Sequence, residues 1–274
     1  MTLMTDTPRN RGGRPRTRPL DGDRGTPVRA LDRGLAILDA LADGTSKSLR
    51  DVASAARLAP STAHRLLETL ARRGFVDVDV HDGRYRVGPR AFAVGAAFVR
   101  AGLSEVGHEP MVALRDALGE TVNLAVRDDD HAMYVHQVEG NRAVRLFTRV
   151  GARVPLHASG VGKALLAWAD DAERDAVLSH LTLAAHAPAT LTDLGALRSD
   201  LEASVERGYA LDLEEYESGV RCAAVPVRDA RGIVAAMSVS APLPRFDDER
   251  LREVAVALIG CADEVSSRLG WVQG

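Results

Sequence analysis

The residues best suited to chemistry lie on one face of a stretch that ends near Gly74. Between Pro60 and Arg73, Ala63, Leu66, Leu67 and Leu70 recur at helical spacing and mark a buried stripe. They leave Ser61, Thr62, His64, Arg65, Glu68, Thr69, Arg72 and Arg73 facing outward. Short hydroxyls and cations of this kind reach base edges and phosphate oxygens, as on a helix lying in the major groove of double-stranded DNA. The same face could serve as an ordinary solvated surface, and the flanking residues favour the first reading.

Upstream, Leu49, Val52, Ala53 and Ala56 repeat at i, i+3, i+4 and i+7 and predict a short helix, opened by the capping-box pair Ser48 and Asp51. Arg57-Leu58-Ala59 breaks the period. Pro60 restarts it at a position where a missing N–H costs little. Two helices joined by so tight a turn make a helix-turn-helix. Downstream, Phe75 to Val80 alternates apolar and acidic residues, Asp82-Gly83 is a hairpin turn, and Arg84 to Val87 alternates again. That predicts a two-stranded wing with Arg84 and Arg86 on one face, set against the phosphate backbone. A further helix with the stripe Leu31, Leu35, Leu38 and Ala42 is expected to cover the hairpin's apolar side. Residues 28–88 therefore resemble a winged helix-turn-helix.

Charge supports this division. Residues 1–90 hold 17 Lys and Arg against 11 Asp and Glu, while residues 91–274 hold 18 against 27. A basic N-terminal third on an acidic body implies that only the first part meets a polyanion. Residues 1–27 are rich in Arg, Gly, Pro and Thr, with almost no large apolar side chain, and read as a flexible basic arm. At 274 residues the chain has room for two cored domains. Cys222 and Cys261 lie far apart with no Cys-x-x-Cys, which argues against a zinc site or disulfide scaffold and fits a reducing cytosol. No run approaches the ~18 apolar residues of a membrane span. A cytoplasmic protein with no membrane partner is expected.

Beyond the wing, residues 89–102 predict a linker helix opened by Pro89 and apolar nearly all round, suited to packing against a partner subunit or a following core. Residues 103–274 alternate helix and strand patterns. Helix is expected from Leu103 to Leu118, with Pro110 as a break or kink. Strands are expected at 121–126, 133–138 and 144–148, then a loop through Gly151 and Pro155. A helix from Ser159 or Gly160 to Trp168 and two more helices come next. Strands at 209–213, 220–227 and 234–240 follow, and Asp247 caps a last helix. The pattern implies an α+β domain on a mainly antiparallel sheet.

Catalytic signatures are lacking. Gly160-Val-Gly-Lys163 approaches a phosphate loop, but His157 and Ala164 occupy positions that need Gly and Ser or Thr. His108-Glu109 is followed by Pro110 and Val112 rather than a second metal-ligand His, and no Gly-x-Ser-x-Gly occurs. Asp128–Asp130 reads as a solvated turn, and His131, His136 and His157 show no ligand spacing. No catalytic residue, metal site or cofactor is expected, and the chain reads as a non-enzyme.

The motifs taken together resemble the IclR family of bacterial transcription regulators. Pro60-Ser-Thr-Ala-His-Arg-Leu-Leu67 is similar to its DNA-binding unit. The stretches 155–166, Arg207-Gly-Tyr209, 219–226 and 236–242 are similar to its effector domain. The resemblance covers Val28 to the C-terminus. It implies a winged helix-turn-helix, a linker helix and a GAF-like effector-binding domain, acting as a homodimer or dimer of dimers. The effector site it implies maps onto Ser159, Gly160, Val161, Asp212, Cys222, Ser238 and Ser240, with Leu146 and Phe147 as apolar wall. A Ser-Gly-Val stretch opening a helix would seat a carboxylate on its amides, and Ser238 and Ser240 share one strand face. Asp212 fits less well beside an anion and would instead accept from a ligand hydroxyl or a water. Cys222 also suits the part of a small buried hydrophobe. The expected function is a regulator, more often a repressor, whose operator affinity answers to a small carboxylate effector. The alternative is a GAF-like ligand-binding or catalytic protein that does not act through DNA.

Overall fold

The computed structural model describes residues 28–99, 102–142 and 148–272. The arm at 1–27, most of the strand expected at 144–148, and the wall residues Leu146 and Phe147 lie outside them. The chain forms two compact units that divide between Ala91 and Phe92.

The first unit holds three helices, α1 (Arg29–Leu41), α2 (Leu49–Ala55) and α3 (Pro60–Arg72), and a hairpin of β1 (Val76–Val78) and β2 (Tyr85–Val87). Its core is Ile37, Leu41, Val52, Leu67 and Val76. The Ser48–Asp51 capping box is present, with side chain and backbone reciprocally bonded, and it fixes the start of α2. The turn that follows is a Schellman arrangement: the Arg57 N–H donates to Ser54 O at 3.1 Å and the Leu58 N–H to Ala53 O at 2.8 Å. Arg57 takes the left-handed position, at φ 54°, where glycine is usual.

Two expectations change here. Leu31 and Leu35 are 63% and 52% exposed, whereas Leu38 of the expected stripe packs against the core beside the fully buried Ile37 and Leu41. The first two turns of α1 bury no side chain, so the stripe's early members cover nothing among the described residues. The wing strands are shorter than the alternation predicts. The ladder pairs only Val76↔Val87, Asp77↔Arg86 and Val78↔Tyr85 before the chain enters the turn at Gly83, φ 67°. Lys47 exchanges backbone hydrogen bonds with Tyr85 at 2.9 and 2.8 Å, adding a third short edge that hydropathy does not reveal.

Helix α4 (Pro89–Val99) contains the division between the units, and Phe92 and Val94 on it are exposed. The second unit is built on a six-stranded sheet of order β5-β4-β3-β8-β7-β6, antiparallel at every pairing. Its strands are β3 (Thr121–Asp128), β4 (His131–Val138), β5 (Arg153–Pro155), β6 (Ala210–Leu213), β7 (Val220–Asp229) and β8 (Gly232–Pro242). One core packs a sheet face against α5 (Leu103–Leu118) and α9 (Asp248–Arg268). A second core joins the other face to α6 (Gly160–Ala167), α7 (Asp171–Leu178) and α8 (Leu194–Arg207). Cover on both sides is why β7 and β8 are buried at consecutive rather than alternate positions.

Helix α5 runs unbroken through Pro110, which is itself buried, so packing outweighs the lost backbone bond. β5 replaces the loop expected before Pro155; at three residues it is too short to show a period. Asp247 caps α9 by accepting from the Arg250 N–H at 2.8 Å. Among the described residues no helix is long and apolar enough to cross a membrane.

Candidate DNA-contact face and effector cavity

Pro60 sits in the first turn of α3 and sets the helix so that Ala63 and Leu67 point into the core. Ser61, His64, Arg65 and Thr69 are exposed and Thr62 is half-buried. The Thr69 hydroxyl donates to Arg65 O at 2.9 Å, and a His64 ring nitrogen lies 3.9 Å from the Glu68 carboxylate. Ser61, Thr62, Arg65, Thr69 and Arg72 line one cleft with Arg33 of α1. Arg33 adds a cation to this face that the sequence reading missed, because the spacing assigned α1 only a covering role.

The wing arginines are already engaged. Arg84 donates to Ser46 O at 3.2 and 3.0 Å, and Arg86 pairs with Asp77 at 2.6 Å. Asp77 in turn is held below the usual carboxylate range by Arg86. Contact with phosphate would have to compete with both partners.

In the second unit a cavity of about 400 Å³ opens between the sheet and the start of α6. Register explains its polar floor. Asp212 pairs with Cys222 and Cys222 with Ser240, so three adjacent strands place these side chains in one row on one face. All three line the cavity, with Ser159 and Gly160 above them. Tyr134, Thr148 and Tyr216 line it too, and sequence reasoning named none of them. Tyr134 comes to that face through a bulge at Leu124/Ala125, which strand periodicity cannot anticipate.

Ser159 is the N-cap of α6. Its hydroxyl donates to Pro155 O at 2.7 Å and accepts from the Gly162 N–H at 3.2 Å. The amides of Gly160 and Val161 have no partner among the described residues. The Val161 side chain packs into the core rather than lining the cavity, so only its backbone is on offer. The glycines have steric reasons. A Cβ on Gly160 would lie 2.9 Å from Cys222 Sγ, and one on Gly162 2.4 Å from Leu156 Cα.

Asp212 accepts from the Glu215 N–H at 2.8 Å and the Tyr216 N–H at 3.4 Å. Burial, reinforced by Glu215, nonetheless raises its carboxyl to about 7, against those hydrogen bonds and Lys163. Burial and the nearby Asp212 push the Cys222 thiol up to about 12, so it stays protonated. Farther along α6, Lys163 is fully buried and reaches Glu215 at 2.5 Å and Asp200 at 2.9 Å. The lysine that suggested a phosphate loop is thus an internal counter-ion.

Ser238 is fully buried two residues along β8 from Ser240, outside the lining, and its hydroxyl has no partner among the described residues. Its cross-strand neighbour Asn123 accepts from Gln137 at 3.1 Å and Thr148 at 2.7 Å, while its own Nδ2 is unpartnered among the described residues. Elsewhere, Asp128 pairs with Arg153 at 2.8 Å, a His180 ring nitrogen lies 3.0 Å from the Asp130 carboxylate, and Asp129 is exposed.

A winged helix-turn-helix followed by a separate sheet domain with a cavity of about 400 Å³ is the build of a regulator that meets DNA through its first unit. Comparison with known proteins gives the family. Residues 30–80 match the IclR helix-turn-helix domain and residues 95–267 the C-terminal domain of bacterial transcriptional regulator IclR. The chain is 42% identical over 258 residues to the HTH-type transcriptional regulator BhcR of Paracoccus denitrificans, covering 93% of this chain and 92% of that protein. It is 36% identical to the transcriptional repressor IclR of Escherichia coli, covering 98% and 99%. An IclR homolog from Microbacterium hydrocarbonoxydans, solved with 4-hydroxybenzoate, superposes with a TM-score of 0.76 at 29% identity, covering 88% of this chain and 98% of that one. The chain belongs to the IclR family and is a DNA-binding transcription regulator.

Proposed function

We propose that the protein is a repressor that holds a duplex operator through Ser61, Thr62, His64, Arg65 and Thr69, with Arg84 and Arg86 of the wing near phosphates, and that a small carboxylic acid in the sheet cavity changes this affinity. The observation that carries the reading is the cavity itself. It sets the unpartnered Gly160 and Val161 amides and the α6 dipole over a row of Asp212, Cys222 and Ser240. Amides suit a carboxylate; Asp212 and Ser240 suit a hydroxyl, an oxo group or a water. About 400 Å³ suits a 2-oxo acid or a compact aromatic carboxylate better than a large lipid. The repressor named among its relatives supports the sign of regulation, and the 4-hydroxybenzoate of the Microbacterium homolog supports the ligand class.

Exposed apolar residues support a homodimer or dimer of dimers, the state that presents two α3 helices to half-sites about 34 Å apart. Val28, Leu31 and Leu35 project from α1, and Phe92 and Val94 from α4. Such a protein works in the cytoplasm, where its operator lies. Gel shifts on duplexes selected from a random pool test the reading. Arg65→Ala is expected to cost about 1–3 kcal/mol on the selected sequence. A small carboxylate is expected to shift wild-type affinity but not that of Ser240→Ala. An Arg65→Ala protein with full affinity would remove α3 as the reading helix, and a carboxylate response that survives Ser240→Ala would move the effector elsewhere.

A further inference from the structure

The second unit has another cleft, remote in lining from the effector cavity, and both tryptophans of the chain converge on it. Trp168 is the C-cap of α6, and Trp271 lies just beyond α9. The cleft measures about 500 Å³ and shares no residue with the cavity above. In a chain with only 4% aromatic residues, two indoles at one opening mark it out.

Trp271 is held by a designed turn. Gly270, at φ 87°, donates to Ser267 O at 3.0 Å and Trp271 N–H to Ser266 O at 3.0 Å, the Schellman pair that ends α9. The Ser266 hydroxyl accepts from the Arg228 N–H at 2.9 Å. One buried serine therefore ties the backbone of Trp271 to that of Arg228, and the guanidinium carbon of Arg228 sits 5.2 Å from the Trp271 ring centroid.

The cations of the cleft differ in their partners. Arg127 pairs with Glu173 at 2.6 Å and Arg231 with Asp229 at 2.8 Å. Asp170 is occupied as the cap of α7, accepting from the Glu173 N–H at 2.7 Å. The half-buried guanidinium of Arg228 makes no hydrogen bond or ion pair among the described residues, and Asp263 acts on it only through space. Burial pushes its pKa down, which shows a cation held without adequate compensation. A carboxylate laid on Arg228 would supply the missing anion, and its ring would lie against indole.

We propose that this cleft is a second ligand site, specific for a flat aromatic carboxylate, with Arg228 as the anion partner and Trp271 and Trp168 as apolar walls.

The test labels the full-length protein with 5-fluorotryptophan, so that two fluorine resonances report on this cleft, and titrates it with benzoate, acetate and benzamide. Benzoate is expected to move the resonances saturably, and to bind more tightly than acetate, which lacks the ring, or benzamide, which lacks the charge. Arg228→Gln is expected to weaken benzoate by about tenfold or more, while Ser159→Ala leaves the titration unchanged. Unmoved resonances, full-strength binding to Arg228→Gln, or equal binding of acetate would overturn the proposal. Loss of the shift in Ser159→Ala would also overturn it, by assigning the signal to the effector cavity. If Arg228→Gln does not fold, Trp271→Leu leaves Trp168 as a single reporter, and benzoate binding there at wild-type strength is likewise fatal to the proposal.

Discussion

Replacing Asp212 by Asn should make the protein more stable at alkaline pH and remove one component of its pH dependence. A carboxyl raised from 3.8 to about 7 binds its proton more tightly in the folded than in the unfolded chain. At 1.36 kcal/mol per pH unit the difference is about 4 kcal/mol. The sign follows from proton counts. Between about 4 and 7 the folded state holds the extra proton, so stability falls as pH rises through that window and levels off above it. Asn keeps the acceptor for the Glu215 and Tyr216 amides and has no charge to bury. Urea unfolding of wild type and Asp212→Asn from pH 4 to 8.5 gives the difference curve. It should favour the variant increasingly across the window, by up to about 4 kcal/mol. A flat difference curve would mean that Asp212 titrates normally and that the cavity floor is wetter than its burial implies. The same proton links to the effector: a carboxylate arriving beside Asp212 favours the neutral acid, so its affinity should fall as pH rises above about 7 in wild type and not in Asp212→Asn.

Gly160→Ala brings a Cβ to 2.9 Å from Cys222 Sγ and should cost about 1–3 kcal/mol by urea unfolding, with much of the loss recovered in the double variant with Cys222→Ala. Lys163→Met strands the buried carboxylate of Glu215 and the half-buried one of Asp200 and should cost about 3–5 kcal/mol, readable as a lowered denaturant midpoint. Arg57→Gly relieves a left-handed residue in the turn of the helix-turn-helix and should raise stability by about 0.5–1 kcal/mol in thermal melts, the strain relieved outweighing the greater freedom of the unfolded chain.

Legibility followed the range of the interactions. The capping box at Ser48, the restart at Pro60, the hairpin turn at Gly83 and the cap at Asp247 are set by neighbours within a few residues, and each is present. The inward face of α1 is legible at Leu38 but not at Leu31 and Leu35, which have the right spacing but lie on turns that bury no side chain among the described residues. β5 and the Lys47 bridge have no pattern of their own and exist only because a partner strand is already in place. The cavity was partly visible through the family likeness, which named Asp212, Cys222 and Ser240. Tyr134 required the bulge, Arg33 required the packing of α1, and the role of Lys163 required two acids 37 and 52 positions later in the chain.

The row that crosses β6, β7 and β8 bears on how such a protein changes its signal. Asp212, Cys222 and Ser240 sit in ladders whose hydrogen bonds run between backbone atoms, and the opposite sheet face packs into a separate core. The chemistry presented to a ligand can therefore be rewritten one letter at a time, with the strands, their register and the far core left as they are. On the proposed effector reading, such a protein inherits its scaffold and drifts in its vocabulary, so descendants of a single ancestor can come to answer different metabolites without first passing through an unfolded sequence.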